Sequence, residues 1–267
     1  SNQSTGSTVL RSYSQGSVLK YRTLNSNWYE ATVKYNGQWT TGYIHKNHVE
    51  SRTSSPETLN GVALHSETKI YSRASTSAPV LRTYPQGSVL KYRTFTKNWY
   101  EATIKYNGKW TTGYIHRNHV ENSTNSPETL NGIALESNTK IFSRASTSAP
   151  VLRSYPEGTI LKYKTFTDNW YEATVRYNGQ WTTGYIHKNH VENPTDSPET
   201  LNGIALNSQT KVYSRASTSA PALRSYPEGT ILKYKTFSNN WYEATVRYNN
   251  QWTTGYIYKQ HVESISN

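Results

Sequence analysis

The chain has 267 residues, 34% of them hydrophobic, with 29 Lys and Arg against 17 Asp and Glu for a net charge of +12. It has no cysteine, which excludes disulfides, thiolate metal sites and thiol nucleophiles while leaving the redox compartment open. No apolar run approaches the about 20 residues that would span a bilayer, and with 23 Tyr and 8 Trp against 4 Phe, burial must rely on rings with a polar tip rather than on one large aliphatic core.

The opening Ser1-Asn2-Gln3-Ser4 carries neither an initiator Met nor a basic-then-apolar export signal, and reads as the start of a processed or excised segment. From there the chain repeats itself. Asn-Trp-Tyr-Glu-Ala-Thr places its Trp at 28, 99, 170 and 241, a constant period of 71, and a second Trp keeps step at 39, 110, 181 and 252. Four modules follow, 1–50, 61–121, 132–192 and 203–263, joined by short irregular linkers of the type Ser54-Ser55-Pro56-Glu57-Thr58-Leu59-Asn60. The first copy lacks the Gly-Val-Ala-Leu and Lys-Ile-Tyr stretches of the others, so its first strand is expected to be missing or replaced.

Within the second module, Lys69-Ile70-Tyr71 and Val89 to Arg93 are short strand signals, the latter following a turn at Pro85-Gln86-Gly87. Trp99 to Tyr106 is a third strand, and Asn107-Gly108 predicts a tight hairpin into Trp110 to Ile115. Alternation sends Tyr100, Ala102, Ile104 and Tyr106 to one face, which we assign to the core together with Ile115. Trp99, Glu101, Thr103 and Lys105 take the other face, and Tyr114 and His116 are expected to point outward. Five or so such strands around few apolar residues predict an all-β chain, a tandem array of small barrels, since closure removes exposed edges.

The ordered strings Ile-Tyr-Ser-x-Ala-Ser, Gly-Ser-Val-Leu-Lys-Tyr, Asn-Trp-Tyr-Glu-Ala-Thr and Asn-Gly-x-Trp-Thr-Thr-Gly-Tyr-Ile-His resemble the bacterial SH3-like (SH3b) family, in particular its GW-module branch. Three copies match over their whole length and the first over most of it. The family's Gly-Trp is Gly-Tyr here, at Gly42-Tyr43, Gly113-Tyr114, Gly184-Tyr185 and Gly255-Tyr256. The resemblance implies SH3-like barrels that target autolysins, lysins or surface adhesins to peptidoglycan or lipoteichoic acid outside a Gram-positive cell.

Enzymatic chemistry finds little support. His-x-x-His recurs at His45/His48, His116/His119 and His187/His190, but the spacing falls at a strand end, the fourth copy has Tyr258 and His261, and no third ligand is evident, so no metal and no cofactor are expected. Glu30, Glu101, Glu172 and Glu243 are each the only repeated carboxylate in mid-module, without the second that paired acid/base work needs. No nucleophile motif or phosphate-cradling loop is present. Repetition favours binding instead, because linked weak contacts become intramolecular.

Every module is net positive, which suits a polyanion. The candidate ligand-binding residues are Trp28, Trp39 and Tyr43 in the first copy and Trp99, Glu101, Trp110 and Tyr114 in the second. Their counterparts are Trp170, Glu172, Trp181 and Tyr185 in the third copy and Trp241, Glu243, Trp252 and Tyr256 in the fourth. Arg73, Arg144 and Arg215, with Lys91, Lys162 and Lys233, would supply charge; the competing reading of the rings is a lid on a small core. We therefore expect a secreted, surface- or wall-associated, monomeric attachment region that binds peptidoglycan or anionic teichoic acid. The alternative is an adhesin whose repeats bind host glycosaminoglycans or matrix proteins; nucleic acid is not expected, for want of a recognition signature.

Overall fold

The computed structural model describes residues 3–265, and the chain is all-β with antiparallel pairing throughout. The described residues fall into two compact units that divide between Ser123 and Thr124. The first copy supplies β1 (Arg22–Thr23), β2 (Trp28–Tyr35) and β3 (Gln38–His45) in one small sheet. The second supplies β4 (Thr58–Ala63), β5 (Thr68–Tyr71), β6 (Val80–Tyr84), β7 (Val89–Thr94), β8 (Trp99–Tyr106), β9 (Lys109–His116) and β10 (Val120–Asn122). Their order in the sheet is β10-β4-β7-β8-β9-β5-β6, and the third and fourth copies repeat it. Seven strand segments thus replace the five or so expected from sequence, and Thr58 to Asn60, read there as linker, are strand residues paired with Lys91 to Arg93.

The longest pairing, β8 with β9, follows directly from local chemistry. Asn107 and Gly108 take φ of +48° and +80°, the left-handed pair a two-residue hairpin requires, and this fixes Trp99 opposite His116, Glu101 opposite Tyr114 and Lys105 opposite Trp110. At the far end of β9 the Nδ1 of His116 accepts the backbone N–H of Asn118 at 3.4 Å, capping the 3₁₀ turn Arg117–His119 that leads the chain into β10. The same cap recurs at His45 and His187. In the first three copies the first histidine of each pair is therefore a turn-former, and among the described residues no group of three or more metal-binding side chains converges.

One face of the hairpin closes the core. Tyr100, Ala102, Ile104 and Ile115 pack with Ala63, Ile70, Leu90, Tyr92 and Val120 as expected from alternation, whereas Tyr106, assigned to the same face, lies beyond the core at the hairpin tip and is exposed. The two tyrosines bury their bodies and still satisfy their tips: their rings lie 4.5 Å apart, Tyr92 donates to the Asn122 side chain at 2.7 Å, and Asn122 donates to the Tyr100 hydroxyl at 3.0 Å. Burial pushes the Tyr92 phenol well above the ordinary tyrosine range. Gly61 is required where β4 runs between β7 and β10, because a Cβ there would overlap the Tyr92 hydroxyl and the Glu121 carbonyl.

Within each unit the two modules touch through one recurring set of contacts. In the first unit Ala74 donates its N–H to the Gly16 carbonyl at 3.3 Å, Arg73 Nε donates to the Gln15 carbonyl at 3.4 Å, and the Glu50 carboxylate accepts the Asn98 N–H at 2.8 Å. In the second unit the same roles fall to Ala216 and Gly158 (3.1 Å), Arg215 and Glu157 (3.1 Å), and Asn240 and Glu192 (3.1 Å). Linker residues Thr53 and Thr195 complete the junctions by donating to the Phe95 and Phe237 carbonyls, each at 2.7 Å.

Candidate functional site

The second face of the hairpin divides into a covered end and an open end. At the covered end Trp99 and Tyr114 are only 7% and 9% exposed. They form a second small cluster with Tyr71, Ala78 and Phe95, backed by Ala74. Alternation places them on the face away from the first core, but they are buried rather than exposed: the segment after β5 and the turn residue Phe95 fold over them. Trp170 with Tyr185 and Trp241 with Tyr256 are buried in the same way, whereas Trp28 and Tyr43 remain half-buried. In the first copy the position of Phe95 is held by the exposed Leu24.

Burial at this end has an electrostatic consequence. The Tyr185 and Tyr256 phenols are each pushed up to about 12, first by desolvation and then by the neighbouring carboxylates of Glu172 and Glu243. Tyr114 shifts upward for the same reasons, with Glu101 as the neighbour and Arg52 opposing it. None of these rings is poised to give up a proton near neutral pH.

Glu101 sits midway and is not free. Arg93 from β7 donates to it through Nε at 2.9 Å, and Arg52 lies 3.7 Å away. Arg22 pairs with Glu30 in the first copy, and Lys164 and Lys235 stand directly opposite Glu172 and Glu243 in the others. A carboxylate with a cation across the ladder in all four copies is suited to holding strands in register and unsuited to general-base work.

The open end is where the four copies agree on exposure. Trp39, Trp110, Trp181 and Trp252 are 73%, 74%, 73% and 74% exposed, an extreme for so large an apolar ring. Each is paired across the ladder with a cation on the same face: Lys34, Lys105, Arg176 and Arg247 respectively. Among the described residues these four cations have no ion-pair or ring partner. Between the tip and the Arg93–Glu101 pair, Thr103 and Thr112 line a groove of about 420 Å³ shared with Lys91. Chemically, an exposed ring can stack on an apolar face, hydroxyls can hydrogen-bond, and cations can attract negative charge.

Of the residues picked from sequence, the four hairpin-tip tryptophans, the repeated carboxylate and Lys91 share this face, while in the last three copies the first tryptophan and the Gly-Tyr tyrosine lie under its covered end. Arg73 and Arg215 are elsewhere, donating to a backbone carbonyl of the preceding module. The tip cations were not singled out from sequence, nor was the Phe lid, although Phe95, Phe166 and Phe237 keep the 71-residue period and so carried the signal.

No protein-family model matches the chain, and no curated protein matches it. Among solved structures, the chain is similar to NlpC1 from Trichomonas vaginalis at 9% identity, over 80% of this chain and 97% of that one, with a TM-score of 0.21. That score is too low to equate the two folds.

Proposed function

We propose that the chain is a non-catalytic attachment region, a tandem array of SH3-like modules that holds a bacterial cell-wall polymer outside the cell. The observation that carries the reading is the exposed tryptophan beside an unpaired cation, built at the same hairpin position four times. A ring left in water at that cost in every copy is explained by a ligand that covers it. The polymer that fits is repetitive, because the sites are; it is anionic, because each face carries excess positive charge; and it offers apolar sugar or alkyl faces to the rings. Teichoic acid has all three properties, and the resemblance to wall-targeting SH3b and GW modules points the same way. Binding is multivalent: each contact is weak, and linkage multiplies the affinities.

The test is co-sedimentation of the chain with purified Gram-positive walls before and after teichoic acid is stripped. Retention on native walls and loss on stripped ones supports the reading. Equal retention on both transfers the ligand to peptidoglycan, and retention on neither, with capture by immobilised heparin, replaces the wall with a host glycosaminoglycan. Clearing of a wall suspension by the chain alone would contradict the non-catalytic assignment.

A further inference from the structure

The third and fourth modules meet over the covered rings of the fourth. In the third module Ala134, on the strand Thr129–Ala134, and Leu161, on the strand Ile160–Thr165, belong to that module's own core. Alternation therefore turns their neighbours Ile133 and Ile160, which stand opposite each other across the ladder, to the outer face of the sheet. Such a face ordinarily meets water, yet Ile133 is 1% exposed. The fourth module covers it: Ile133 clusters with Ala216, Ala220, Trp241 and Tyr256, and Ile160 and Phe237 pack against that cluster.

Trp241 and Tyr256 lie under two pieces of the fourth module's chain, the segment 214–220 and the turn residue Phe237, and both pieces are held from the third module. Arg215 Nε donates to the Glu157 carbonyl and the Ala216 N–H to the Gly158 carbonyl, each at 3.1 Å. The approach leaves no room for a side chain. Gly158 has φ of +78°, and a Cβ there would lie 2.7 Å from the Ala216 carbonyl carbon and 2.8 Å from the Ser217 nitrogen. On the other side Thr195 donates its N–H to the Phe237 carbonyl at 2.7 Å, and the Glu192 carboxylate accepts the Asn240 N–H at 3.1 Å, next to Trp241. Within its own module the segment is pinned at its ends, where Ser214 donates to the Pro221 carbonyl at 2.9 Å, so its tip is the part that leans on the neighbour.

We propose that the third module is the latch on the fourth: it holds segment 214–220 closed over Trp241 and Tyr256, so that the junction and the cover loosen together. Opening a cover of this kind is a local event, and its cost is set by the contacts that must break, which here are those of the junction. The coupling runs both ways, because whatever loosens the cover must also loosen the face it rests on. The first unit repeats the polar half of the device, with Ala74 and Arg73 donating to the carbonyls of Gly16 and Gln15. This assignment is independent of what the hairpin tips bind.

Amide hydrogen exchange of the whole chain tests it with two variants. Ile133→Ala removes the apolar support from the third module's side, and exchange at 214–220 is expected to speed up by about tenfold or more while Trp170–Tyr177 and Gln180–His187 keep their protection. Arg215→Ala removes the clamp from the cover's side without touching the third module's core. It is expected to speed exchange at 214–220 by about threefold, and at 158–160 with it, as reciprocity requires. Should Ile133→Ala also loosen 170–187, the Arg215→Ala arm decides alone. Exchange at 214–220 that ignores the loss of Ile133, or a 158–160 turn as well protected in Arg215→Ala as in the unsubstituted chain, would overturn the proposal.

Discussion

The two tryptophans of each repeat should separate cleanly under substitution. Trp99 is buried in its cluster, and truncating such a ring to alanine costs about 3–5 kcal/mol, enough to unfold a module of this size. Trp110 is 74% exposed, so only about a quarter of that burial is at stake, and Trp110→Ala is expected to cost about 1 kcal/mol or less. Thermal unfolding would then shift by no more than about 4–8 °C for the affected module. Binding behaves in the opposite sense. If each tip ring contributes about 1 kcal/mol to contact with the polymer, one site weakens about fivefold, and replacing Trp39, Trp110, Trp181 and Trp252 together weakens the linked array by roughly several-hundred-fold. Calorimetric melting and wall co-sedimentation, run on the single and quadruple alanine variants, check both halves. A quadruple variant that remains folded and is retained on walls as the unsubstituted chain is would refute the assignment of the tips as the contact surface.

Further outcomes follow from the same structure. Wall retention is expected to fall as salt is raised from 0.1 M to 1 M, as the screening length drops from about 10 Å to about 3 Å; retention that ignores salt would remove charge from the mechanism. Converting Lys34, Lys105, Arg176 and Arg247 together to Gln should weaken retention more than converting Arg82, Arg153 and Arg224, whose guanidinium groups lie over Tyr84, Tyr155 and Tyr226. Arg215→Ala is expected to lower the stability of the second unit by about 0.5–1.5 kcal/mol, measured by denaturant unfolding, and to leave retention little changed. His119 and His261 have pKa values held below 6.5, chiefly by burial, so the unfolded chain takes up their protons first: stability is full above pH 6.5 and declines as pH falls below it. Unfolding free energies measured between pH 7.5 and 5 should show that slope, and the His119→Gln/His261→Gln pair should flatten it.

Local features were legible in the sequence because local chemistry decides them. Asn107-Gly108 fixed the hairpin, alternation through Tyr100, Ala102 and Ile104 fixed the core face, and the period of 71 fixed the copies. What sequence pattern left out is decided by contacts far apart in the chain. Val80 to Tyr84, flanked by Pro79 and Pro85, has a register shift against β5 and shows no clean alternation, so its strand was missed. A ring on the non-core face reads as exposed until the 72–78 segment and Phe95 are placed over it, and no spacing within the hairpin reports that cover. Arg73 and Arg215 looked available because their acceptors, the carbonyls of Gln15 and Glu157, lie 58 residues earlier.

The redistribution of the cations sharpens where a polyanion would be held. Arg73 and Arg215 serve junctions between modules, Arg22 and Arg93 neutralise a carboxylate, and Arg52 lies over the Phe95 ring at 4.9 Å. Arg117 lies over Tyr100 at 4.6 Å. Each of these charges is partly spent inside the protein, because a guanidinium fixed against a carboxylate, carbonyl or ring has fewer donors left for a ligand. Among the described residues the cations opposite the hairpin-tip tryptophans have no ion-pair or ring partner, and they sit opposite tryptophans that are 73–74% exposed. On the proposed function, the net charge would draw an anionic polymer toward every module, and the tips would supply the ring contact, since there ring and cation are held directly across the ladder by the Asn-Gly turn, or Asn-Asn in the last copy. On that reading, the turn that sets this geometry would matter to binding as directly as the side chains it presents.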